Sequence, residues 1–401
     1  MTISKVKSEK EAYIAQSSVK IKVLVVSHAY VTGVNQGKWD SVAAIDGIKV
    51  ALLIPTGWKA VGWKKLLTLE TPYPRLKIYP ARILFSGRVG AYFYMPWKIW
   101  QVLRDFNPDI LHVEQEVFSI SAFQMAFCSK LFKKPLVIFG WENLDRQLSP
   151  FRHWIRRYVL DTAKAIVSGN YEGKELIDKW GYEGTVEVMP QMGVDSKLFA
   201  PRTKADGFTS ANLDPSSEGF RVGYMGRLTY QKGLDTLFVA VKKLSQVHDN
   251  IKLVMCGSGP DETSLRKDVE ELEIADRVEW KGGVPQASVP DEMANFNVLV
   301  LPSKTGHTWK EQFGHVLIEA MCMGIPVVGS TCGEIPNVIA NPELVFQEGD
   351  TAQLTQTLER LLVDKEWYSQ AKSFGLSRVH QNYTHERIAS RLVDLWQHIL
   401  H

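Results

Sequence analysis

The sequence predicts an α/β protein of two doubly wound domains that face each other across a cleft. Short apolar runs alternate with amphipathic helical patterns along the chain. A chain of 401 residues is long enough for two domains with cores of ordinary size. A polar stretch rich in Ser, Asp and Gly, residues 202–219, separates two parts of similar length and is typical of a linker.

In the first part, buried-strand patterns alternate with helical patterns, as in a doubly wound sheet. The expected strands are residues 21–27, 50–55, 109–113, 136–139 and 165–168. The expected helices include residues 95–106 and 121–131. Residues 1–20 contain charged and small residues without the apolar core of a secretory signal, so we expect a flexible extension there. No internal repeat or low-complexity tract competes with this organisation.

The second part continues the alternation. Residues 221–225 form a short apolar strand pattern that enters a Gly turn, and a helix pattern opens near Gly233. Two further strand patterns follow at residues 251–256 and 297–301. We place the first domain at residues 21–200, the second at residues 201–380 and a final helix at residues 381–401.

Composition excludes several classes of protein. Hydrophobic residues make up 45% of the chain, but no apolar run is long enough to cross a bilayer. The four cysteines have no metal-ligand spacing, which fits reduced thiols in a cytoplasmic protein.

The most informative segment begins at Glu311 and ends at Val328. Glu311 and Glu319 lie eight positions apart on a helical pattern, a rise of roughly 12 Å. The backbone N–H groups at the helix start lie between them and suit an anion such as a diphosphate. The pattern therefore predicts a site for an elongated ligand with an anionic centre. Either glutamate taken alone is equally consistent with an exposed helix residue.

The segment resembles the E-x7-E signature of retaining GT-B glycosyltransferases of family 4, in the form E-x-F-G-x-x-x-x-E-A-x-x-x-G-x-P-V-V, and fills every fixed position. The resemblance implies a GT-B fold, with two Rossmann-like domains around the cleft and a final helix that crosses back to the first domain. It also implies transfer of a hexosyl unit from a nucleoside diphosphate sugar, such as a UDP- or GDP-sugar, with retention at the anomeric carbon.

The resemblance assigns roles to individual residues. Arg227 and Lys232 would bind the donor phosphates, Glu311 the sugar hydroxyls and Glu319 the ribose, with Glu311, Arg227 and Lys232 as the catalytic residues. The rest of the donor site would be formed by Gly226, Val284, Phe313, Gly314, His315 and Val316. The chain contains no Asp-x-Asp motif, which argues against a GT-A enzyme with a metal-held donor. We therefore expect no metal and no cofactor other than the donor substrate.

The first domain departs from the family pattern. Gly33 and Asn35 stand in a loop where many members carry a Gly-Gly pair, and an ordinary loop is the alternative. Trp141 and Glu142 occupy the region where the family commonly has a histidine beside the reacting sugar. Trp141 would stack on a sugar, whereas Glu142 fits a sugar contact or a helix-start acid equally well. His112 is expected at a strand end facing the cleft, although a structural hydrogen bond is the commoner role for a lone histidine.

Charge is divided unevenly. Residues 1–200 hold 27 Lys and Arg against 18 Asp and Glu, a net charge of +9, whereas the remainder holds 20 against 26. Basic and aromatic residues interleave at residues 58–65, 82–100 and 152–158, a pattern suited to an anionic membrane surface. Amphipathic helices with solvated basic faces are the alternative. No nucleic-acid module is recognisable, so nucleic acid is not an expected partner.

The predicted activity is transfer of a hexosyl unit to a hydroxyl of a glycan, a lipid or a small molecule. The expected location is the cytoplasm, either free or attached peripherally to the inner face of the membrane. The alternatives are a sugar phosphorylase, a nucleotide-sugar epimerase and a non-catalytic nucleotide-sugar-binding protein.

Overall fold

A computed structural model describes residues 21–60, 65–202 and 219–401. The predicted extension, Lys64 of the basic aromatic segments and most of the predicted linker lie outside the described residues.

The first lobe is built on a seven-stranded parallel sheet of order β11-β10-β9-β8-β1-β2-β5. Its strands are β1 (Ile21–Val26), β2 (Ile48–Pro55), β3 (Gly57–Ala60), β4 (Lys65–Thr68), β5 (Lys77–Ala81), β6 (Ile83–Leu84), β7 (Phe93–Tyr94), β8 (Ile110–Glu114), β9 (Leu136–Gly140), β10 (Ala165–Ser168) and β11 (Thr185–Val188). Two antiparallel pairs, β3 with β4 and β6 with β7, lie outside that sheet. The helices are α1 (Gly37–Ala43), α2 (Pro96–Phe106), α3 (Ile120–Phe132), α4 (Pro150–Thr162) and α5 (Tyr171–Lys179).

The second lobe contains a six-stranded parallel sheet of order β14-β13-β12-β15-β16-β17. Its strands are β12 (Phe220–Met225), β13 (Ile251–Cys256), β14 (Val278–Gly282), β15 (Val298–Leu301), β16 (Val327–Ser330) and β17 (Val345–Phe346). The helices that follow are α6 (Leu234–Ser245), α7 (Glu262–Glu271), α8 (Val289–Met293), α9 (His315–Cys322), α10 (Ile335–Ile339), α11 (Thr351–Val363), α12 (Lys365–Asn382) and α13 (His385–Leu400).

The strand orders locate the crevices. In the first sheet the chain order reverses between β1 and β8, and in the second sheet it reverses between β12 and β15. Ligands of open parallel sheets bind beyond the carboxyl ends of the strands at such switch points. A site is therefore expected near the loops that follow these four strands.

The last helix, α13, begins in the second lobe and packs against the first. Thr384 caps it by accepting a hydrogen bond from the backbone N–H of Arg387 at 3.1 Å. Its apolar side belongs to the core of the first lobe, where Trp396 stacks on Trp39 with ring centroids 6.2 Å apart and planes 7° from parallel. The chain thus links the lobes a second time. Across the described ranges, no helix has both the length and the apolar character needed to traverse a membrane.

Candidate active site

Arg227 and Lys232 lie in the loop between β12 and α6. Gly233, which follows Lys232, has a φ of 66°, and a Cβ atom there would lie 1.9 Å from the carbonyl oxygen of Pro302. Glycine alone combines this φ with so close a backbone contact. The loop therefore packs directly on the end of β15, and Lys232 reaches the segment that precedes α9.

Lys232 and Glu311 form an ion pair. Nζ of Lys232 lies 2.6 Å from Oε2 of Glu311, and the hydroxyl of Ser303 donates to the same oxygen at 2.8 Å. Nζ also lies 4.8 Å from the ring centroid of Trp309, a cation–π distance. Both charged side chains are largely buried. Two residues 79 positions apart in sequence are therefore held in one orientation before any ligand binds.

The N-terminus of α9 faces the same space. Gly314, its N-cap residue, has a φ of 84°, and a Cβ atom there would meet Leu301 at 2.8 Å. The first N–H groups of a helix have no intrahelical acceptor and carry partial positive charge. Arg227, Lys232, Glu311 and Gly314 line one cavity of about 420 Å³, which we call the Glu311 cavity.

A second cavity of about 390 Å³ continues from the first. It contains Glu319 and Val284, and we call it the Glu319 cavity. The two cavities share four lining residues, Met225, Gly226, Arg227 and Val316. Arg227 thus lines both cavities, one of which contains Glu311 and the other Glu319.

Glu319 is unusual among the site residues. Its carboxylate has no hydrogen-bond partner within the parts of the chain that the structure describes, and it lies in the wall of the Glu319 cavity. Burial raises the pKa of Glu319 to about 7. A carboxylate in such a position gains most from a ligand that brings hydroxyl donors.

His315 and Phe313 belong to the wall between the lobes. The rings of these two residues lie 5.0 Å apart, and Phe313 is buried. Nε2 of His315 is buried without a hydrogen-bond partner among the described residues, and burial lowers the pKa of this imidazole to about 4. His315 is therefore neutral near pH 7, and any anion at this end of α9 is held by backbone N–H groups.

Trp141 contacts the second lobe. Its ring centroid lies 6.3 Å from both Phe313 and His315, and Nε1 donates to Oε1 of Gln191 at 3.0 Å. A Cβ atom on Gly169 would lie 2.1 Å from the Trp141 ring, so the backbone of Gly169 covers part of that ring. The predicted stacking on a sugar is thus restricted to the ring surface left uncovered.

Polar contacts also join the lobes. Lys310 pairs with Glu172 at 2.6 Å, Gln312 donates to the carbonyl of Trp141 at 3.1 Å, and the N–H of Tyr171 donates to Glu334 at 3.0 Å. The other predicted residue of this segment, Glu142, pairs with Arg146 at 2.7 Å and accepts from the N–H of Leu144. Glu142 is thus engaged within its own loop, and it is not the helix-start acid of the stated alternative, because the next helix, α4, begins at Pro150.

The loop after β1 is closed by its own contacts. The N–H of Gly33 donates to Glu70 at 2.6 Å, and a Cβ atom at Gly33 would meet Pro72 at 2.8 Å. Nδ2 of Asn35 donates to the carbonyl of Ala29 at 2.8 Å. Gly33 and Asn35 therefore hold the loop in shape and are not brought to the cavities around Glu311 and Glu319.

His112 does not face the cleft, which corrects the prediction. It is completely buried in β8, between the rings of Trp39 and Trp396 at 5.2 and 5.8 Å. The prediction failed because β8 is covered on both faces, so its sequence does not distinguish one face from the other. The same buried layer holds Glu114. Burial raises the pKa of this carboxyl group, but Lys38 at 2.7 Å and His112 lower it by more, so that the pKa is about 2 overall.

Glu116, just beyond β8, is a candidate that the sequence analysis missed. Its Oε1 accepts from the N–H of Trp141 at 2.7 Å, and burial raises its pKa to about 7. The signal was available, because Glu116 follows a predicted strand at the carboxyl edge of the sheet. Glu116 therefore adds a titratable group on the first-lobe side of the cleft.

No group of three or more His, Cys, Asp and Glu side chains suited to a metal ion occurs in the portion of the chain described. The absence of a metal from the reaction stays a prediction.

Two parallel sheets of these orders, in two lobes joined by contacts across a cleft, are the arrangement of a GT-B fold. Solved structures agree. Sucrose-phosphate synthase from Thermosynechococcus elongatus superposes with a TM-score of 0.71 at 20% identity, covering 94% of this chain and 99% of that one. Anabaena HepE in complex with UDP-glucose superposes with a TM-score of 0.68 at 18% identity, with the same coverage. At these identities the likeness establishes the fold.

The family comparison is more specific. Residues 209–377 match the family model of glycosyl transferases group 1. This part of the chain is similar to that family, and the predicted resemblance to GT-B glycosyltransferases is confirmed.

Curated relatives share parts of the chain. A GDP-mannose-dependent alpha-(1-6)-phosphatidylinositol monomannoside mannosyltransferase of Mycobacterium tuberculosis is 26% identical over 64% of this chain and 66% of its own length. The phosphatidylinositol N-acetylglucosaminyltransferase gpi3 subunit of Schizosaccharomyces pombe is 29% identical over 40% of this chain and 34% of its own length. A 2-deoxystreptamine glucosyltransferase of Streptomyces kanamyceticus is 30% identical over 55% of this chain and 57% of its own length. The matches span between about a third and two thirds of these relatives.

Proposed function

We propose that this protein is a retaining glycosyltransferase that moves a hexosyl unit from a nucleoside diphosphate sugar to a hydroxyl of a lipid acceptor. One observation carries the proposal. The Glu311 and Glu319 cavities adjoin each other, and Arg227 lines both of them. A nucleoside diphosphate sugar has a matching arrangement, because its anionic diphosphate lies between two groups that carry hydroxyls, the ribose and the sugar.

The positions of Arg227, Glu311 and Glu319 determine how the donor is oriented. The diphosphate lies against Arg227 and the N–H groups after Gly314, where positive charge is concentrated. The ribose hydroxyls donate to Glu319, and the hydroxyls of the transferred sugar donate to Glu311. Lys232, held by Glu311, stands between the sugar and the phosphate that leaves.

The reaction breaks the bond between the anomeric carbon and the diphosphate oxygen. The acceptor oxygen bonds to the same face of the anomeric carbon, and its proton passes to an oxygen of the leaving phosphate. Negative charge grows on the diphosphate as the bond breaks, so preorganised cations and amides lower the barrier. Arg227, Lys232 and the start of α9 supply that stabilisation.

The choice of a lipid acceptor has two supports. Relatives named above act on phosphatidylinositol derivatives. The first lobe carries exposed tryptophans at positions 97, 100 and 154 beside exposed basic residues such as Arg104 and Lys130. Such a surface suits a peripheral position on the cytoplasmic face of an anionic membrane.

The test is release of nucleoside diphosphate from a panel of UDP- and GDP-sugars, with and without a membrane lipid extract. We expect one donor to be consumed rapidly only when lipid is present, with a glycolipid as product. Lys232→Ala should abolish this turnover. Sugar phosphate as product would indicate a phosphorylase, and an altered nucleotide sugar without acceptor would indicate an epimerase. Binding of nucleotide without turnover on any donor would overturn the proposal in favour of a binding protein.

A further inference from the structure

An apolar groove lies on the first lobe between α2 and α3, and we call it the α2–α3 groove. Its volume is about 740 Å³, within the range of roughly 300–1,000 Å³ that is typical of small-molecule sites. Trp97 and Trp100 of α2 line one side, and Ile120, Phe123, Phe127 and Leu131 of α3 line the other. None of the residues in the donor cavities belongs to it.

The apolar side chains of the groove are open to solvent. Trp97 is 69% exposed, Leu131 63% and Phe127 54%. An exposed cluster of this kind marks a binding surface, because an ordinary surface scatters its apolar residues singly. The ligand therefore buries hydrocarbon here.

The walls offer a ligand little polar contact. Gln124 is the one side-chain amide in the lining, and both of its ends are occupied by the backbone of Tyr94. Its Oε1 accepts from the N–H of Tyr94 at 3.0 Å, and its Nε2 donates to the carbonyl at 2.7 Å. A polar ligand would lose hydrogen bonds to water in this groove with little replacement, whereas a hydrocarbon chain has no such hydrogen bonds to lose.

The surroundings of the groove are basic. Arg104 lies over the ring of Trp100 at 3.9 Å, and Lys130 lies over the ring of Tyr158 at 4.2 Å. Asp105 is the one acid within α2 and α3, and it is bound by Lys77 at 2.8 Å. The rim of the groove is therefore complementary in charge to an anionic lipid surface around it.

One end of the groove adjoins the cleft. Ile120 is the first residue of α3, and the neighbouring Ser121 donates to Gln115 at 3.3 Å. Gln115 in turn contacts Nδ1 of His28 at 2.9 Å, beyond β1 at the switch point of the first sheet. From Ile120 to Leu131 the groove follows α3 for roughly 16 Å away from that point. A lipid whose chain lies in the groove has its head group directed toward the cleft.

We infer that the α2–α3 groove binds one acyl chain of the acceptor lipid, an inference that rests on the proposed transfer to a lipid. Burial of an acyl chain removes exposed apolar surface of both partners from water, and each buried methylene contributes about 0.8 kcal/mol before the costs of binding. The groove thus selects acceptors by their chain, while the cleft selects the hydroxyl.

The groove contains a cysteine whose reactivity can report whether a ligand is bound. Cys128 lines it and is partly exposed, whereas Cys256, Cys322 and Cys332 are buried. Burial raises the pKa of Cys128 to about 11, so alkylation by N-ethylmaleimide should be slow and is best followed at alkaline pH. Cys128→Ser identifies the labelled thiol.

The experiment measures alkylation of Cys128 in the full chain with monomeric lysophosphatidylglycerol, below its critical micelle concentration. We expect the lysolipid to slow alkylation at least about tenfold, and glycerol phosphate, which lacks the chain, to have no effect. Leu131→Asp should remove the protection because it places a charge in the groove. Val247→Asp, an equally exposed position on the second lobe, should retain it.

Three results would overturn the inference. The first is no protection by lysolipid, and the second is equal protection in Leu131→Asp. The third is protein dimerisation, measured by sedimentation, that protects Cys128 without lipid and is lost in Leu131→Asp, since a second copy would then be the occupant. Protection by lysolipid in a protein that glycosylates no lipid would contradict the proposed function and leave chain binding in place, so the two failures are distinguishable.

Discussion

At the scale of single residues, the ion pair between Lys232 and Glu311 changes what each side chain is expected to do. A carboxylate placed 2.6 Å from Lys232 partly neutralises that cation and fixes its direction. Glu311 therefore has two roles in the proposed reaction, since it binds sugar hydroxyls and positions Lys232. Glu319, at the other end of the site, has no such partner among the described residues.

This difference predicts opposite effects of two substitutions. Glu311→Gln should lower turnover strongly and leave affinity for the bare nucleoside diphosphate unchanged or higher, because Lys232 then faces the phosphates without a competing charge. Glu319→Ala should weaken the same affinity by about 1–3 kcal/mol, since hydrogen bonds to ribose are lost. Calorimetry with the nucleoside diphosphate measures both. Equal loss of affinity in the two variants would show that the ends of the site are wrongly assigned.

Turnover should persist in excess EDTA, because Arg227, Lys232 and the amides of α9 take the place of a metal. Lys232→Ala should be severely impaired with or without chelator, since a cation aimed at the leaving group acts mainly in the transition state. The assay is nucleoside diphosphate release. Loss of wild-type turnover in EDTA that magnesium or manganese restores would contradict this account.

At the scale of elements, the proposed phosphate site depends on the start of α9 and on Gly314, the glycine that precedes this helix. Gly314 has a φ of 84°, in the left-handed region that costs a residue with a Cβ atom roughly 1–2 kcal/mol. The added methyl group would also meet Leu301 at 2.8 Å. The helix start and its N–H groups are therefore set by one residue.

Gly314→Ala should shift the start of α9 and reduce affinity for the nucleoside diphosphate at least about tenfold, since misaligned N–H groups lose their contact with the phosphates. Gly306→Ala is the matched control in the same loop, where the nearest atom to an added Cβ is 3.7 Å away. Calorimetry and thermal unfolding of both variants test this. A similar affinity in the two variants would remove α9 from the phosphate site.

Elements also mark the limit of prediction from sequence. The five strands expected in the first lobe occur as β1, β2, β8, β9 and β10, because their apolar runs are continuous. The edge strands β5 and β11 were missed, because they are short and partly exposed and lack that signal. The ion pair of Lys232 with Glu311 was also not predicted, since the loop between β12 and α6 meets the segment before α9 only in the folded chain. Composition did not predict the α2–α3 groove, because the groove depends on how the two helices pack against each other.

At the scale of the whole molecule, three carboxyl groups along the cleft make stability depend on pH. Burial raises the pKa of Glu116, Glu319 and Glu334 to about 7 in the folded protein. In the unfolded chain a glutamate titrates near 4.3. Between these values the folded state binds more protons than the unfolded state, so this contribution to stability is complete below about pH 4 and is lost as the pH rises through 7.

The unfolding temperature of the free protein should therefore fall as the pH rises from about 5 to about 7. Glu116→Gln should reduce that fall, because the amide stays neutral and still accepts from the N–H of Trp141; the upper bound for one such group is about 4 kcal/mol. Glu271→Gln, at an exposed position of α7, is the control. Thermal unfolding at several pH values is the measurement, and an unchanged slope in Glu116→Gln would show that Glu116 titrates elsewhere.

The charge asymmetry of the molecule leads to a last prediction. Arg156 and Arg157 of the predicted basic segment are engaged locally, with Arg156 over the Trp180 ring at 4.6 Å and Arg157 paired with Asp161. Arg104 and Lys130 also make cation–π contacts, but they lie on α2 and α3 beside the exposed apolar side chains of the α2–α3 groove, so we expect this set to face the membrane. The triple variant Lys98→Glu, Arg104→Glu, Lys130→Glu should therefore lose affinity for vesicles that contain acidic lipids by about 3 kcal/mol or more, at roughly 1 kcal/mol for each basic residue.

The control is the triple variant Lys243→Glu, Lys252→Glu, Lys267→Glu on the second lobe, which changes the net charge equally and should retain binding if the first lobe faces the lipid. Sedimentation with acidic and neutral vesicles measures the difference. Raised salt should release the wild-type protein, because exposed charges are screened within about 8 Å at physiological ionic strength. Equal loss in the two variants would mean that net charge alone attracts the protein, and equal binding to neutral vesicles would mean that the exposed tryptophans act without the charge.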